Sequence, residues 1–376
     1  MRFVTHFPLI SVQKSYASAT NFLVVGAGAS GLVFALTCAA SGIKVRIIEK
    51  RSQRALIGKA TGVAQGVWQK LERFNINESV IDGAIPMRNF VFFDDENLVA
   101  NISVPAINKK QPASMYPQGK LEQHLEKSLR DYGVVVEYGT TLTDIVQYDN
   151  CVCASLTKNE GSEVEKCEAQ WLIGADGAHS DVRRILKIPF VGRDYPEEWS
   201  VAEITTSQWP SQVQAQLFLN HNGVGLFLSE PSHGVIQGIF NAPDVAGKLQ
   251  EKFPDAKLLY KRDFRVSLRR VLSPRIGKIW LIGDAAHVQS PVGGQGLNLA
   301  IWDGIELADA LLKNDFSVER RLASRAAKVL FFTDFDYRLL ATRMRILRAL
   351  RNSYWRCASR YPSVAKWFFK IISGIW

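Results

Sequence analysis

Little in the 376 residues points to a stapled, fibrous or disordered chain. The five cysteines, Cys38, Cys151, Cys153, Cys167 and Cys357, are odd in number and form no C-x-x-C pair, which argues against a disulfide framework, a dithiol centre and a zinc knuckle. With 27 glycines and 14 prolines the chain is neither collagenous nor low-complexity, and 47% hydrophobic against 22% charged residues allows a large core. At ~100–200 residues per domain, the length calls for two or three domains and not for one binding module. Acids are scarce only near the end. Residues 317–376 carry 13 Lys or Arg against Glu319, Asp334 and Asp336, leaving 33 basic and 33 acidic residues elsewhere. The formal charge of +10 therefore belongs to a tail, and a nucleic-acid partner is not expected.

Long apolar runs are lacking, save one. Residues 21–43 hold no charge and could span a bilayer by length alone. Gly26, Gly28, Gly31 and Gly42 divide that stretch into a β-rich run and a small-residue helical run, the pattern of a buried strand, turn and helix. Ahead of it, His6 and Pro8 interrupt any apolar signal core, so residues 1–18 are expected to be a disordered leader.

Phe22-Leu-Val-Val-Gly26-Ala-Gly28-Ala-Ser30-Gly31 is a strand feeding G-x-G-x-x-G, with a helix to follow. Gly26 permits the tight turn, Gly28 lets the backbone approach a pyrophosphate, and Gly31 lets helix and strand pack closely. A second strand, residues 44–48, ends in Glu49, where a carboxylate can accept hydrogen bonds from an adenosine ribose. This is a dinucleotide site, and on its own it does not separate NAD from FAD. Two further buried strands end in acids: one runs into Ala175-Asp176-Gly177-Ala-His179-Ser180, with Arg183 beyond, and one into Gly283-Asp284-Ala-Ala-His287. The latter continues into Pro291-Val-Gly293-Gly294-Gln295-Gly296-Leu297-Asn298 and a helix. No metal-ligand spacing occurs, so no metal is expected. His287, at a strand-to-helix turn, reads as structural more readily than as a base, and His179 likewise.

These segments resemble those of the flavin-dependent aromatic hydroxylases, the single-component class A monooxygenases with the p-hydroxybenzoate hydroxylase fold, over about residues 19–312. Tyr116-Pro-Gln118-Gly-Lys-Leu121-Glu122 is similar to the family's segment that opens the helix beneath the flavin. The resemblance implies that Gly26, Gly28, Ser30, Gly31 and Glu49 hold the ADP half of FAD, with Arg51 and Gln118 near the diphosphate and ribityl chain. It implies that Asp284, after Gly283, binds ribityl hydroxyls. The start of the helix at Gly294, Gly296, Leu297 and Asn298 would face the flavin pyrimidine, and Pro291, Gly293 and Gly294 would border the reacting side. Asp176, Gly177 and Arg183 would serve both FAD and NADPH or NADH. No catalytic base is implied.

The fold expected is mixed α/β: a discontinuous Rossmann-like FAD-binding domain (residues 19–85, 114–189 and 271–316), an inserted, mostly antiparallel substrate sheet (86–113 and 190–270), and a basic helical extension (317–376). The activity implied is hydroxylation of an aromatic or otherwise electron-rich, lipophilic small molecule by O2 through a flavin hydroperoxide. The alternatives are a flavin-dependent reductase of the geranylgeranyl-reductase type and a non-catalytic membrane-associated flavin-binding protein. A cytoplasmic location is expected, with the extension either peripheral on an anionic membrane surface or packed on the FAD-binding domain. For the membrane reading the apolar face is Leu340, Met344, Leu347 and Tyr354, with Arg338, Arg345, Arg348, Arg356 and Arg360 mostly on another face.

Overall fold

The computed structural model describes residues 18–54, 62–76, 83–103, 114–159, 161, 163–209, 215–220, 223–229, 234–361 and 363–364. The expected leader lies outside them except for Ser18, which already opens the first strand. The last residues of the expected extension, 365–376, also lie outside them.

The fold is mixed α/β, and two large sheets organise it. In the first, Ser18–Val25 pairs in parallel with Val45–Glu49 on one side and Val164–Gly174 on the other. Val136–Tyr138 and Ile279–Leu281 extend the parallel part at its two edges. Leu23, Val24, Ile47, Ile48, Leu172 and Ile173 are wholly buried, as continuous apolar runs must be when a parallel sheet is covered on both faces. The helices are α1 (Ala29–Ala40), α2 (Gln65–Leu71), α3 (Gln118–Asp131), α4 (Asp181–Ile185), α5 (Val245–Lys252), α6 (Gln295–Leu312), α7 (Val318–Leu340) and α8 (Arg345–Arg360). One face of the sheet packs on α1, α3 and α6, and the other is closed by antiparallel strands and α4. The charge-free stretch at 21–43 is a strand, turn and helix, and no helix among the described residues is long and apolar enough to cross a membrane.

The second sheet runs in the order His287–Val288, Lys257–Arg270, Val191–Thr205, Val235–Phe240, Gly223–Ser229, Ala215–Asn220, Asn89–Asp94, Asn97–Ser103. It is antiparallel except where Ala215–Asn220 lies parallel to Asn89–Asp94. Its edge strand His287–Val288 comes from the segment 271–316 that sequence assigned wholly to the nucleotide-binding part; the chain crosses between the sheets there, pairing with Arg269 and Arg270.

The extension packs on the nucleotide-binding part, as one expectation had it, and on the second sheet as well. Val318 and Leu322 of α7 join the first core, but Tyr337 and Leu340 pack on the second sheet, as do Trp355 and Ala358 of α8. Trp355 stacks on Phe92 with ring centroids 4.2 Å apart. The reason is the alternation in Asn89–Asp94 and Asn97–Ser103: Phe90, Phe92, Ala100 and Ile102 present an apolar face that a helix must cover. Leu340 and Tyr354 thus turn inward and not toward a membrane, and Arg348 is held by Asp94 and Asp95.

Candidate functional site

Strand register brings the nucleotide motifs together. Val25 lies beside both Ile48 and Gly174, and Gly174 lies beside Leu281, so the turns that follow these strands leave the sheet at one edge. In open parallel sheets this carboxyl edge is where ligands bind. The amide of Ala175 donates to Val25 O (2.8 Å), that of Ile282 to Gly174 O (3.0 Å) and that of Gly26 to Ile48 O (2.8 Å). Gly26 has φ +105°, and a Cβ there would lie 2.4 Å from the Ala175 carbonyl oxygen; a Cβ on Gly31 would lie 2.0 Å from Gly26 O. Both positions are therefore closed to side chains by backbone. A Cβ on Gly28 would meet only Glu122 Oε1, at 3.9 Å, which leaves the N-terminus of α1 approachable.

Carboxylates brace this turn. Glu49, buried, accepts from Ala27 N (3.0 Å), Arg51 N (3.0 Å) and Arg51 Nε (2.9 Å). Burial pushes its carboxyl up, but the hydrogen bonds from Arg51 and the amides outweigh this and hold it below the usual range. Glu122 Oε1 accepts from Ala29 N (3.1 Å) and Gln118 Nε2 (2.8 Å), and Oε2 accepts from Arg54 (3.3 Å); burial raises its pKa. Arg54 also pairs with Glu126 and donates to Tyr138 OH (3.0 Å).

Asp176 has a role within the fold through one of its two oxygens. Its Oδ2 accepts from the amides of Asp181 (2.7 Å) and Val182 (3.0 Å), and with Ser180, whose Oγ accepts from Arg183 N, it caps α4. Burial raises its pKa, and Oδ1 has no partner among the described residues. Arg183 donates to Ala285 O (2.8 Å) and Ala178 O (2.5 Å) and lies over the Phe190 ring at 3.8 Å. It braces the second motif against the third, because its guanidinium donors find carbonyls from both. Gly283 has φ +58°, packs against Ser30 Oγ and puts Asp284 in an exposed turn. His287 is buried with Nε2 2.6 Å from Asp303 Oδ2, and the same oxygen accepts from Gly283 N (3.3 Å).

Gly293 (φ +89°) and Gly294 (φ +61°) bend the chain into α6. No atom of the described residues comes within 4 Å of a Cβ on Gly294. The first amides of α6 have no intrahelical acceptor and face that opening. Gly296 stands in this first turn, its added Cβ meeting only Gln289 Nε2 at 3.4 Å. The side chains of Leu297 and Asn298 serve the fold, leaving only their amides for a cofactor: Leu297 is buried in the core, and the Asn298 side chain is spent on backbone. Its Oδ1 accepts from Ala64 N (2.8 Å) and its Nδ2 donates to Gly294 O (2.8 Å), tying α6 to the strand Gly62–Val63. On the far side, Val292, next to Pro291, packs against two apolar clusters of the second sheet.

The residues at the edge fit a dinucleotide. Gly28, Gly177 and Gly294 leave space where a Cβ would stand, an approachable helix N-terminus lies at one end, and the exposed carboxylate of Asp284 lies in the adjoining turn. Sequence reasoning did not single out Asp303, Arg54 or Glu126. Glu122 and Glu126, four apart on the otherwise apolar face of α3, were the signal for a buried cation.

A parallel sheet with three turns gathered at its carboxyl edge, joined to a second sheet through His287–Val288 and Val292, defines a dinucleotide-binding class of protein. The chain belongs to the FAD binding domain family, whose profile matches residues 19–237 and 240–314. It is 26% identical to 6-methylpretetramide 4-monooxygenase of Streptomyces rimosus, over 78% of this chain and 55% of that protein. It is 25% identical to pentachlorophenol 4-monooxygenase of Sphingobium chlorophenolicum, over 76% of this chain and 56% of that one. The chain thus spans about half the length of these curated relatives. Among solved structures, p-nitrophenol 4-monooxygenase from Pseudomonas putida DLL-E4 superposes with a TM-score of 0.85 at 21% identity, covering 95% of this chain and 99% of that one.

Proposed function

We propose that the protein is an FAD-dependent monooxygenase that uses NADPH or NADH and O2 to hydroxylate an aromatic or otherwise electron-rich, lipophilic small molecule. The observation that carries this reading is the convergence of Gly26–Gly28, Asp176–Gly177 and Gly283–Asp284 at one sheet edge, with the Pro291–Gly294 turn joining that edge to the apolar second sheet through Val292. The names of the relatives support it: two of those described above act on phenols, pentachlorophenol and p-nitrophenol.

When bound, FAD supplies electron transfer from the nicotinamide donor and activation of oxygen at its ring. The remainder is the work of this chain. The amides at the start of α1 receive the diphosphate beside Gly28, and Asp284 accepts hydrogen bonds from the ribityl hydroxyls. Glu49, held ionised by Arg51, fixes the fingerprint turn and offers its remaining lone pairs to the adenosine ribose. The N-terminus of α6, opened by Gly293 and Gly294, stabilises negative charge on the pyrimidine edge. Val292 and Leu226, both partly buried against the apolar cluster of the second sheet, would exclude water from the side where the substrate reacts.

The test is simultaneous measurement of NAD(P)H oxidation and oxygen uptake on the flavin-loaded protein, across phenols, quinone precursors and polycyclic polyketides. The expected result is one NAD(P)H and one O2 consumed per hydroxylated product with a matching substrate, and slow oxidation without it. Product formed under strict anaerobiosis would replace this reading with a reductase.

A further inference from the structure

Helix α8 buries two polar residues, Arg351 and Asn352, beside Trp355 and Ala358. Arg351 is 3% exposed, donates to Leu340 O (2.6 Å) and pairs with Asp94 Oδ1 (3.0 Å), while Asn352 donates to Asp94 Oδ2 (2.6 Å). A buried guanidinium must keep these partners, so the clamp to Asp94 fixes how α8 rolls against the sheet. The outcome is that Ile346 (73% exposed) and Leu350 (62%) point away from the protein, one turn apart, with Cys357 further along the same strip. Arg345, Arg356 and Arg360 form the neighbouring strip by the same spacing, and none of them pairs with a carboxylate among the described residues. On α7 the outward side repeats the mixture: Lys328, Phe331, Phe335 and Arg338 follow one another at three- and four-residue steps, with both phenylalanines exposed.

We propose that the outward strip of α8 is a docking surface for an anionic lipid bilayer. Three observations select that occupant. The exposed residues are aliphatic side chains bordered by arginines, the combination that inserts among acyl chains while guanidinium groups bind lipid phosphates. A second copy of the chain would bring arginine strips face to face without acids to answer them, which disfavours self-association through this face. The sequence that follows continues the same chemistry: residues 365–376 include Trp367, Phe368, Phe369, Ile371, Ile372 and Trp376 with Lys366 and Lys370, and no acid. Nucleic acid fits poorly, because Ile346 and Leu350 offer bases nothing on which to stack.

Flotation of the full, flavin-loaded chain with phosphatidylcholine vesicles, with and without phosphatidylglycerol, tests the proposal. Wild type is expected to float with the anionic vesicles and to be released by high salt. Ile346→Asp with Leu350→Asp should abolish flotation, and replacing Arg345, Arg356 and Arg360 by Gln should weaken it on the order of a hundredfold, at about fivefold per charge. Both variants alter only exposed side chains, so unchanged flavin content and melting temperature confirm that they fold. Equal flotation of wild type and variants, or none by wild type, overturns the proposal. So does conversion of a wild-type dimer to a monomer by the Ile346 and Leu350 changes, which makes the face an interface between copies. Flotation only after removal of residues 365–376 also overturns it, because those residues would then cover the strip. Oxygen uptake, read in parallel, reports on the catalytic reading separately.

Discussion

Asp284 and His287 stand three residues apart and do opposite things. Asp284 is exposed in a turn whose backbone is shaped by Gly283 at φ +58°, so its carboxylate stands at the sheet edge. Charge-assisted hydrogen bonds are worth about 1.5–3 kcal/mol each, so Asp284→Ala should weaken FAD binding by roughly ten- to a hundredfold. Titration of the apoprotein by flavin fluorescence reads this directly; unchanged affinity would remove Asp284 from the site. His287 is buried, and burial alone would lower its pKa, yet the charge and hydrogen bond of Asp303 outweigh burial and raise it. The sign of its effect on stability follows. Because the folded value lies above the unfolded one of about 6.5, the stabilisation is complete below that pH and is lost as pH rises through the raised folded value. Melting curves across this window should show a fall for wild type that Asp303→Asn lacks.

At the scale of elements, legibility depended on whether a residue's type is dictated by its own backbone. Gly26 and Gly31 were readable because neighbouring carbonyls leave no room for a Cβ, and only glycine satisfies that. Asn298, Asp176 and Arg183 also serve the fold: the Asn298 side chain, Asp176 Oδ2 and the Arg183 guanidinium hold amides or carbonyls, some from distant segments, and spacing within one segment cannot show that. The faces of α8 failed for a related reason. Apolar spacing groups Leu340 and Tyr354 with the exposed Met344 and Leu347, whereas the charge on Asp94, more than 250 residues earlier, draws Arg351 and Asn352 to the sheet, and Leu340 and Tyr354 pack there with them. Removing that charge should undo the arrangement. Asp94→Ala leaves Arg351 buried without its carboxylate, a loss of about 3–5 kcal/mol if the helix stays in place. Thermal unfolding is expected to fall accordingly and α8 to gain protease sensitivity, with flavin affinity unchanged; an unaltered melt would show that the clamp does not hold the helix.

The whole molecule is joined by α7, whose 23 residues reach roughly 34 Å at 1.5 Å per residue. Its first turns bury Val318 and Leu322 in the nucleotide core and meet α6 through Arg321 and Glu306 (2.7 Å). Its last turns put Tyr337 against Tyr195 and Trp199 on the second sheet, where Asn241 donates to Tyr337 OH (3.1 Å). A segment that composition marks as a basic tail is therefore a strut between the two sheets, and α8 is the cover of the outer one. Truncation after Asp315 should accordingly not leave an intact enzyme. It removes Leu340, Trp355 and Ala358 from the cluster around Phe90 and Phe92, and losing one buried tryptophan costs about 3–5 kcal/mol by itself. The parallel sheet keeps its own three nucleotide turns. The truncated chain should therefore retain measurable FAD binding while its second sheet opens, binds a hydrophobic dye and no longer couples flavin oxidation to a substrate. Trp355→Ala in the full chain should reproduce the lower melting temperature in milder form. A truncated protein with wild-type melting and no dye binding would show that the extension is an appendage after all.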